Sequence, residues 1–351
     1  MRQRLRRDVE NRYDNADAMN PARIHSSRLS MFLHLCEMRM RRFTLGLIVV
    51  WPLLIPTITN AAAEPAFDRR EDVIYGRKFG TALTMDVFTP KQNPKGIGLV
   101  FVVSGGWYSA HESIAQTFVD ALVKRGYTVF AVVHGSQPKF TIPEILGDMN
   151  RSIRFIRYHA KDYGIDPDQI GIYGASAGGH LSLMQGTAGD SGNPNAKDPV
   201  DRVSSRVQAV ACFFPPTDFL NYGKTGENAI GRGVLEGFKA PFDFHELDTK
   251  AGKFMPISDE SKIIEIGKTI SPITHVSADD APTLIFHGDA DKLVPIQQAE
   301  IIVEKLKAVG VDAQLVVRKG AVHGWSTMGD DLKAFADWFD EHLKSPAKKA
   351  G

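Results

Sequence analysis

Cysteine is nearly absent from this 351-residue chain, which has two, Cys36 and Cys212. A disulfide framework and a thiolate-rich zinc site are therefore both excluded. Cys212 lies in the apolar run Val207–Phe214 and reads as a buried strand residue. No electropositive turn surrounds it to make it a nucleophile. A charge excess is missing too. The net charge is +1, and residues 1–63 hold ten Arg, no Lys and five acids, so the rest of the chain carries −4. A mildly acidic body argues against a nucleic-acid partner, whose mark is a basic patch. Neither G-x-G-x-x-G nor a P-loop lysine motif occurs, so nucleotide binding has no support. No His, Cys, Asp or Glu group has the spacing of metal ligands, and neither a cofactor nor a metal is expected. Internal repeats and low-complexity tracts are also lacking.

Long hydrophobic runs are scarce, and the exception is placed early. Phe43 to Ile58 is apolar, follows the basic Met38-Arg-Met-Arg-Arg42, and precedes the A-x-A stretch Ala61-Ala-Ala63. That is the pattern of a cleaved export signal behind a polar, Arg-rich extension, with residues 1–63 removed. The expected product is a secreted or periplasmic chain starting at Glu64, with no stable membrane association after cleavage. A retained membrane anchor is the alternative. It is disfavoured because the run is short for a span and Pro52 and Pro56 interrupt it.

Beyond the leader, residues 64–351 alternate strand and helix patterns. Asp72–Tyr75 and Leu83–Phe88 read as opening strands. Ile97–Val103, Thr128–Val133, Gln169–Tyr173, Gln208–Phe214, Thr283–His287 and Ala313–Val317 are short apolar runs, as expected for strands buried on both faces. Between them, Ile114–Arg125, Ile142–Tyr163, Pro295–Val309 and Leu332–Leu343 have helical spacing. The succession predicts an α/β fold, a mostly parallel sheet covered by helices on both faces. Residues 221–269 break the rhythm and read as a cap-like insertion above the functional face.

The most informative stretch is Gly174-Ala-Ser-Ala-Gly-Gly-His180. It contains G-x-S-x-G between a strand and a helix, the sequence form of a nucleophile elbow in α/β-hydrolases. Gly174 and Gly178 are needed where strand and helix nearly touch. Ser176 would stand above the sheet, and the amide of Ala177 would face a developing oxyanion. A serine nucleophile needs a histidine base and a carboxylate to orient it. Downstream, His287-Gly-Asp-Ala-Asp-Lys-Leu-Val-Pro295 and Ala321-Val-His-Gly-Trp325 each follow a strand. They supply Asp291, with Asp289 as its competitor, and His323.

From Asp72 to Leu343 the chain resembles the esterase/lipase branch of the α/β-hydrolases. It is especially similar to the feruloyl/acetyl-esterase-like (BD-FAE) group and to the catalytic domain of prolyl-oligopeptidase-type peptidases. The stretches carrying the likeness are Ser271-Pro-Ile-Thr274 and Ala281-Pro-Thr-Leu-Ile-Phe-His-Gly-Asp-Ala-Asp291. The resemblance implies that Asp291 is the acid and leaves Asp289 to turn chemistry. Aligning Ser104-Gly-Gly-Trp-Tyr108 with the group's H-G-G-G-W puts Gly105 and Gly106 at the oxyanion-donating positions. Val103 then stands where the group has its loop-bracing histidine. Trp107 and Tyr108 are candidates for binding substrate or for packing. His180 and His287 read as packed structural histidines, and His111 and His134 as rim residues. The implied activity is hydrolysis of a small-molecule or carbohydrate ester through an acyl-enzyme. A peptidase, or a non-catalytic binding protein on this fold, is the alternative.

Overall fold

The structure, a computed structural model, describes residues 66–344. The polar extension, the apolar run and the A-x-A stretch lie outside the described residues. One eight-stranded sheet runs in the order β1-β2-β4-β3-β5-β6-β9-β10. Its strands are β1 (Phe67–Lys78), β2 (Thr81–Pro90), β3 (Gly98–Val102), β4 (Thr128–Val133), β5 (Ile170–Ala175), β6 (Ala209–Phe213), β9 (Thr283–Gly288) and β10 (Ala313–Arg318). The first two pair antiparallel with each other, β2 pairs antiparallel with β4, and the remaining ladders are parallel.

Burial follows position in the sheet. Every residue of β3, β6 and β9 is buried, as helices on both faces require. At one edge, β1 exposes charged side chains, which discourages pairing with another chain. Helices α1 (Gln116–Val123) and α7 (Met328–His342) cover one face, where Phe213, Phe286, Phe335 and Phe339 pack together. On the other face lie α2 (Ile142–Tyr158), α3 (Ala177–Ala188) and α6 (Gln297–Ala308).

Most expected elements are present, with two differences. The helical pattern over 142–163 stops as α-helix at Tyr158 and tightens into a 3-10 turn at Ala160–Tyr163. Gly164, at φ 64°, closes it because the chain must reverse to enter β5. Residues 221–269 are more structured than the rhythm suggested. They hold the hairpin β7 (His245–Asp248) and β8 (Lys253–Pro256) and the helix α4 (Glu260–Thr269). Asp259 caps α4 through the Ser261 amide at 2.9 Å. The short helix α5 (Pro272–His275) follows.

The order of strands places a functional crevice. From β3 the chain crosses to β4 on one side, and from β5 it crosses to β6 on the other. The connections leaving the carboxyl ends of β3 and β5 therefore run in opposite directions, the arrangement in which such sheets form a crevice. Beside it, buried Asp148 of α2 accepts from Lys78 Nζ at 2.6 Å and from the Gly135 amide at 2.9 Å. One carboxylate thus fastens β1 and the β4–α2 loop to the same helix. Lys78→Ala leaves that carboxylate buried without its cation and is expected to destabilise the fold by roughly 3 kcal/mol. Urea unfolding of the variant checks this; a change under about 0.5 kcal/mol, the scale of an ordinary surface site, would contradict it.

Candidate active site

The crevice is built from strand ends, beginning with the turn between β5 and α3. Ser176 has φ 54°, a left-handed conformation that a non-glycine residue adopts only when its surroundings impose it. Those surroundings are backbone. A Cβ on Gly174 would lie 2.6 Å from the carbonyl carbon of Gly178. One on Gly178 would lie 2.8 Å from the Val102 oxygen. The Ser176 amide donates to Phe213 O at 2.9 Å, tying the turn to β6. Directly after the serine, Ala177 opens α3 with its amide at the positive end of the helix.

Ser176, His323 and Asp291 come from the ends of three strands and form a hydrogen-bonded chain. His323 Nε2 is 2.9 Å from Ser176 Oγ, and His323 Nδ1 is 2.7 Å from Asp291 Oδ2. Asp291 is buried, and its other oxygen accepts the amides of Leu293 and Val294 at 2.9 and 3.0 Å. Burial alone would raise its pKa, but the His287 and His323 rings and the Val294 amide outweigh that and hold the carboxyl well below its usual range. Asp291 is therefore an anion that can accept only, so His323 carries its proton on Nδ1 and turns an Nε2 lone pair to the serine. Phe214 backs the imidazole with ring centroids 4.4 Å apart. Asp289 is exposed and instead accepts the Gly320 amide, a turn contact.

The loop after β3 differs from expectation. Gly105 and Tyr108 exchange two backbone bonds, Gly105 N to Tyr108 O at 3.0 Å and Tyr108 N to Gly105 O at 2.9 Å. Gly106 and Trp107 between them have φ 56° and 62°, the signs of a type I′ turn. The Gly105 amide is thus committed inside the loop and is not offered to a ligand. Within the turn Gly105–Tyr108, the amides without a protein acceptor among the described residues are those of Gly106 and Trp107. Sequence alignment could not show this, because the turn type decides which amides are bonded within the loop.

The Trp107 side chain is a second correction. It is 2% exposed, so it does not line a substrate surface. Its indole donates to His180 Nδ1 at 3.1 Å and packs against Phe219, Phe238 and Phe242. A non-glycine residue held at positive φ needs such an anchor. Phe238, from the insertion, also lies over Gly106, where a Cβ would come within 2.5 Å of its ring. Tyr108, by contrast, is 51% exposed beside the crevice.

The other histidines are placed by their partners. His180 Nε2 donates to Ile270 O at 2.7 Å, and His287 Nε2 to Val294 O at 2.8 Å. His134 contacts Ser104 Oγ at 2.9 Å from the end of β4. His111 joins Glu71 and Asp86 in a group close enough to hold a metal, which the fold assembles from three separate segments. A cation already occupies that group: Arg69 donates to Asp86 at 2.8 and 2.6 Å and lies 3.3 Å from Glu71. Cys212 is buried in β6, and burial pushes its thiol pKa up, away from thiolate chemistry. A hollow of about 590 Å³ lies between the insertion and the β4–α2 loop, walled by Phe79, Phe140, Phe244 and Phe254. None of its walls belongs to the Ser176 cluster, so hydrogen-bond geometry rather than hollow size marks the site.

The BD-FAE family model matches residues 85–306. The chain is similar to the probable carboxylic ester hydrolase LipM of Mycobacterium tuberculosis, 29% identical over 242 residues, or 68% of this chain and 52% of the relative. It is also similar to the isoprenylcysteine alpha-carbonyl methylesterase ICME of Arabidopsis thaliana, 24% identical over 295 residues, or 81% and 64% of the two chains. These alignments span between about half and two thirds of the curated relatives' length. Among solved structures, the truncated form of a carbohydrate esterase from gut microbiota superimposes with a TM-score of 0.65 at 25% identity. That match covers 80% of this chain and 98% of the other.

His134 and His180 are both buried, and burial lowers each pKa from the ordinary 6.5 to about 4. Between those values the unfolded chain binds protons that the folded chain does not, so stability falls as pH drops from 6.5 towards about 4. Unfolding midpoints measured across that window are expected to decline. In His180→Gln, which keeps a donor and an acceptor but does not titrate, the decline should be shallower. An unchanged slope would contradict a buried neutral His180.

Proposed function

Because the chain belongs to the BD-FAE family, we propose that it is a serine hydrolase of carboxylic esters. The observation that carries this reading is the hydrogen-bonded chain Ser176–His323–Asp291 at a strained strand-to-helix turn. Ser176 Oγ bonds to the ester carbonyl carbon while its proton passes to His323 Nε2. Asp291 holds the ring in the required tautomer and faces the imidazolium that forms. The carbonyl oxygen, now negative, is received by the amides of Ala177, Gly106 and Trp107. Collapse expels the alkoxide, which takes the proton from Nε2 and leaves an acyl-serine. Water then gives a proton to Nε2 and its oxygen bonds to the acyl carbon. The acid departs and the proton returns to Ser176.

The substrate class we propose is an acyl group on a polysaccharide. Likeness to a carbohydrate esterase supports it, as does the exposed Tyr108 ring beside the crevice, a surface on which a sugar can stack. An exported enzyme would meet such polymers. The leader pattern supports export, and N-terminal sequencing of the native protein should begin at Glu64. Retention of residues 43–58 in a membrane fraction would favour the anchor instead.

Two substitutions test the chemistry. Ser176→Ala is expected to keep the fold and lower kcat by about 10³-fold or more on chromogenic acetyl esters; retention of a tenth of the activity would refute the assignment. Asp291→Asn is expected to lose far more than Asp289→Asn, because only the former missets the imidazole. The reverse ranking would make Asp289 the orienting acid. Acetylated and feruloylated xylan, assayed beside the chromogenic panel, test the polymer reading. A wild-type protein inert towards every ester but active on peptides would be a peptidase, and one inert towards both a binding protein.

A further inference from the structure

The loop that carries Gly106 and Trp107 is held on its far side by the indole of Trp107. Its near side raises a separate question. Val103 cannot hydrogen-bond through its side chain, and Ser104 is the last residue before the turn. Its Oγ lies 2.9 Å from His134 Nε2, and among the described residues that hydroxyl has no other partner. His134 Nδ1 lies 2.8 Å from Gly135 O, and a carbonyl only accepts, so Nδ1 carries the proton. Nε2 is therefore a lone pair, and Ser104 Oγ–H is the donor that satisfies it.

We propose that His134, acting through Ser104, is a positioning residue that sets the direction of the Gly106 and Trp107 amides. The inference rests on the esterase reading of the site. Three observations support it. First, the two residues form a matched pair: a glycine at position 104 would leave a buried imidazole nitrogen unfilled, and such orphans are rare because they are costly. Second, the same β4–α2 loop grips the turn elsewhere. Gln137 N donates to Trp107 O at 3.1 Å, Gln137 Nε2 to Gly106 O at 3.2 Å, and Ser136 Oγ accepts the Ser109 amide at 3.0 Å. The Ser104–His134 bond is the one contact of this set on the limb before the turn. Third, the loop is itself anchored: Asp148 holds the Gly135 amide at 2.9 Å. His134 is also neutral under ordinary conditions, since burial and nearby Lys78 lower its pKa to about 4. It can therefore accept a hydrogen bond throughout the range in which the enzyme would work.

The consequence concerns the transition state rather than substrate binding. Gly106 and Trp107 both hold positive φ, and the direction of their two amides depends on that turn geometry. Freeing Ser104 lets the limb before the turn shift, which carries the Gly105–Tyr108 turn, and with it the Gly106 and Trp107 amides, away from the oxyanion. Ground-state ester has little charge on that oxygen, so affinity should barely change.

The test is steady-state kinetics on a chromogenic acetyl ester with Ser104→Ala, His134→Ala, the double variant and His134→Gln. Ser104→Ala removes one oxygen from a half-buried side chain and is expected to fold. Its kcat should fall roughly 10-fold, a fraction of the loss for removing a donor outright, with KM within about threefold. The double variant should be no worse than His134→Ala, because both break one bond. Glutamine has an acceptor for Ser104 and a donor for Gly135, so His134→Gln should recover most of the rate. If His134→Ala fails to fold, the Ser104→Ala and His134→Gln results still decide. An unchanged kcat in Ser104→Ala, or a loss that disappears on cooling well below its Tm, would overturn the positioning role. If the wild-type protein turns over no ester, the esterase reading fails with it, which is a different result from an active wild type whose Ser104→Ala variant is equally active.

Discussion

Where β5, α3 and β3 meet, backbones lie closer than side chains permit. A Cβ at Gly174 would collide with Gly178, and one at Gly178 with the Val102 carbonyl. This close approach is the constraint on which the rest of the site depends. It forces the sharp turn that holds Ser176 at positive φ, and it starts α3 early enough for Ala177 to present its amide. It also sets the elbow directly against the β3 loop, since a Cβ at Gly178 would lie only 3.3 Å from Ser104 O. Loosening the contact would move Ser176 away from the Gly105–Tyr108 turn.

Around that fixed point the surrounding loops are tied down by polar bonds as well as by aromatic packing. The insertion contributes Phe238 and Phe242 against Trp107, whose indole is tethered through His180 to Ile270 O. The β4–α2 loop contributes Gln137 and, on our proposal, His134. Both histidines are buried and neutral, and each is assigned one tautomer by a carbonyl partner. A neutral imidazole in this setting is a rigid two-ended linker, one end donor and one end acceptor. Such linkers suit a loop whose left-handed residues would otherwise relax.

What was legible in the chain follows from the range of each interaction. The parallel sheet could be read because its strands are short apolar runs set by their own burial. Gly174 and Gly178 marked the elbow because no other residue fits there. Following strands to their carboxyl ends led to His323 and to the pair Asp289 and Asp291, between which the family resemblance chose Asp291. The helix α4 was missed because its Ile263 and Ile266 stripe is brief and sits in a stretch rich in Gly and Lys. Trp107 stays open between binding and packing in the sequence because nothing local tells a rim aromatic from an anchor, and its burial depends on Phe219, Phe238 and Phe242, more than a hundred residues away in sequence. Gly105 differs from expectation because the turn type, which the letters do not encode, bonds its amide to Tyr108 O inside the loop. The Ser104–His134 pair was invisible for the same reason as Trp107: it joins two strand ends that only the fold brings together.

The central claim is that Ser176 takes up the acyl group. Rapid quenching of the enzyme during turnover of an activated acetyl ester, followed by peptide mass mapping, observes that step itself. The account expects a single acetyl adduct on Ser176, formed at least as fast as steady-state turnover and lost on further incubation. Turnover with no adduct on Ser176, or with a kinetically competent adduct on another residue, would contradict it.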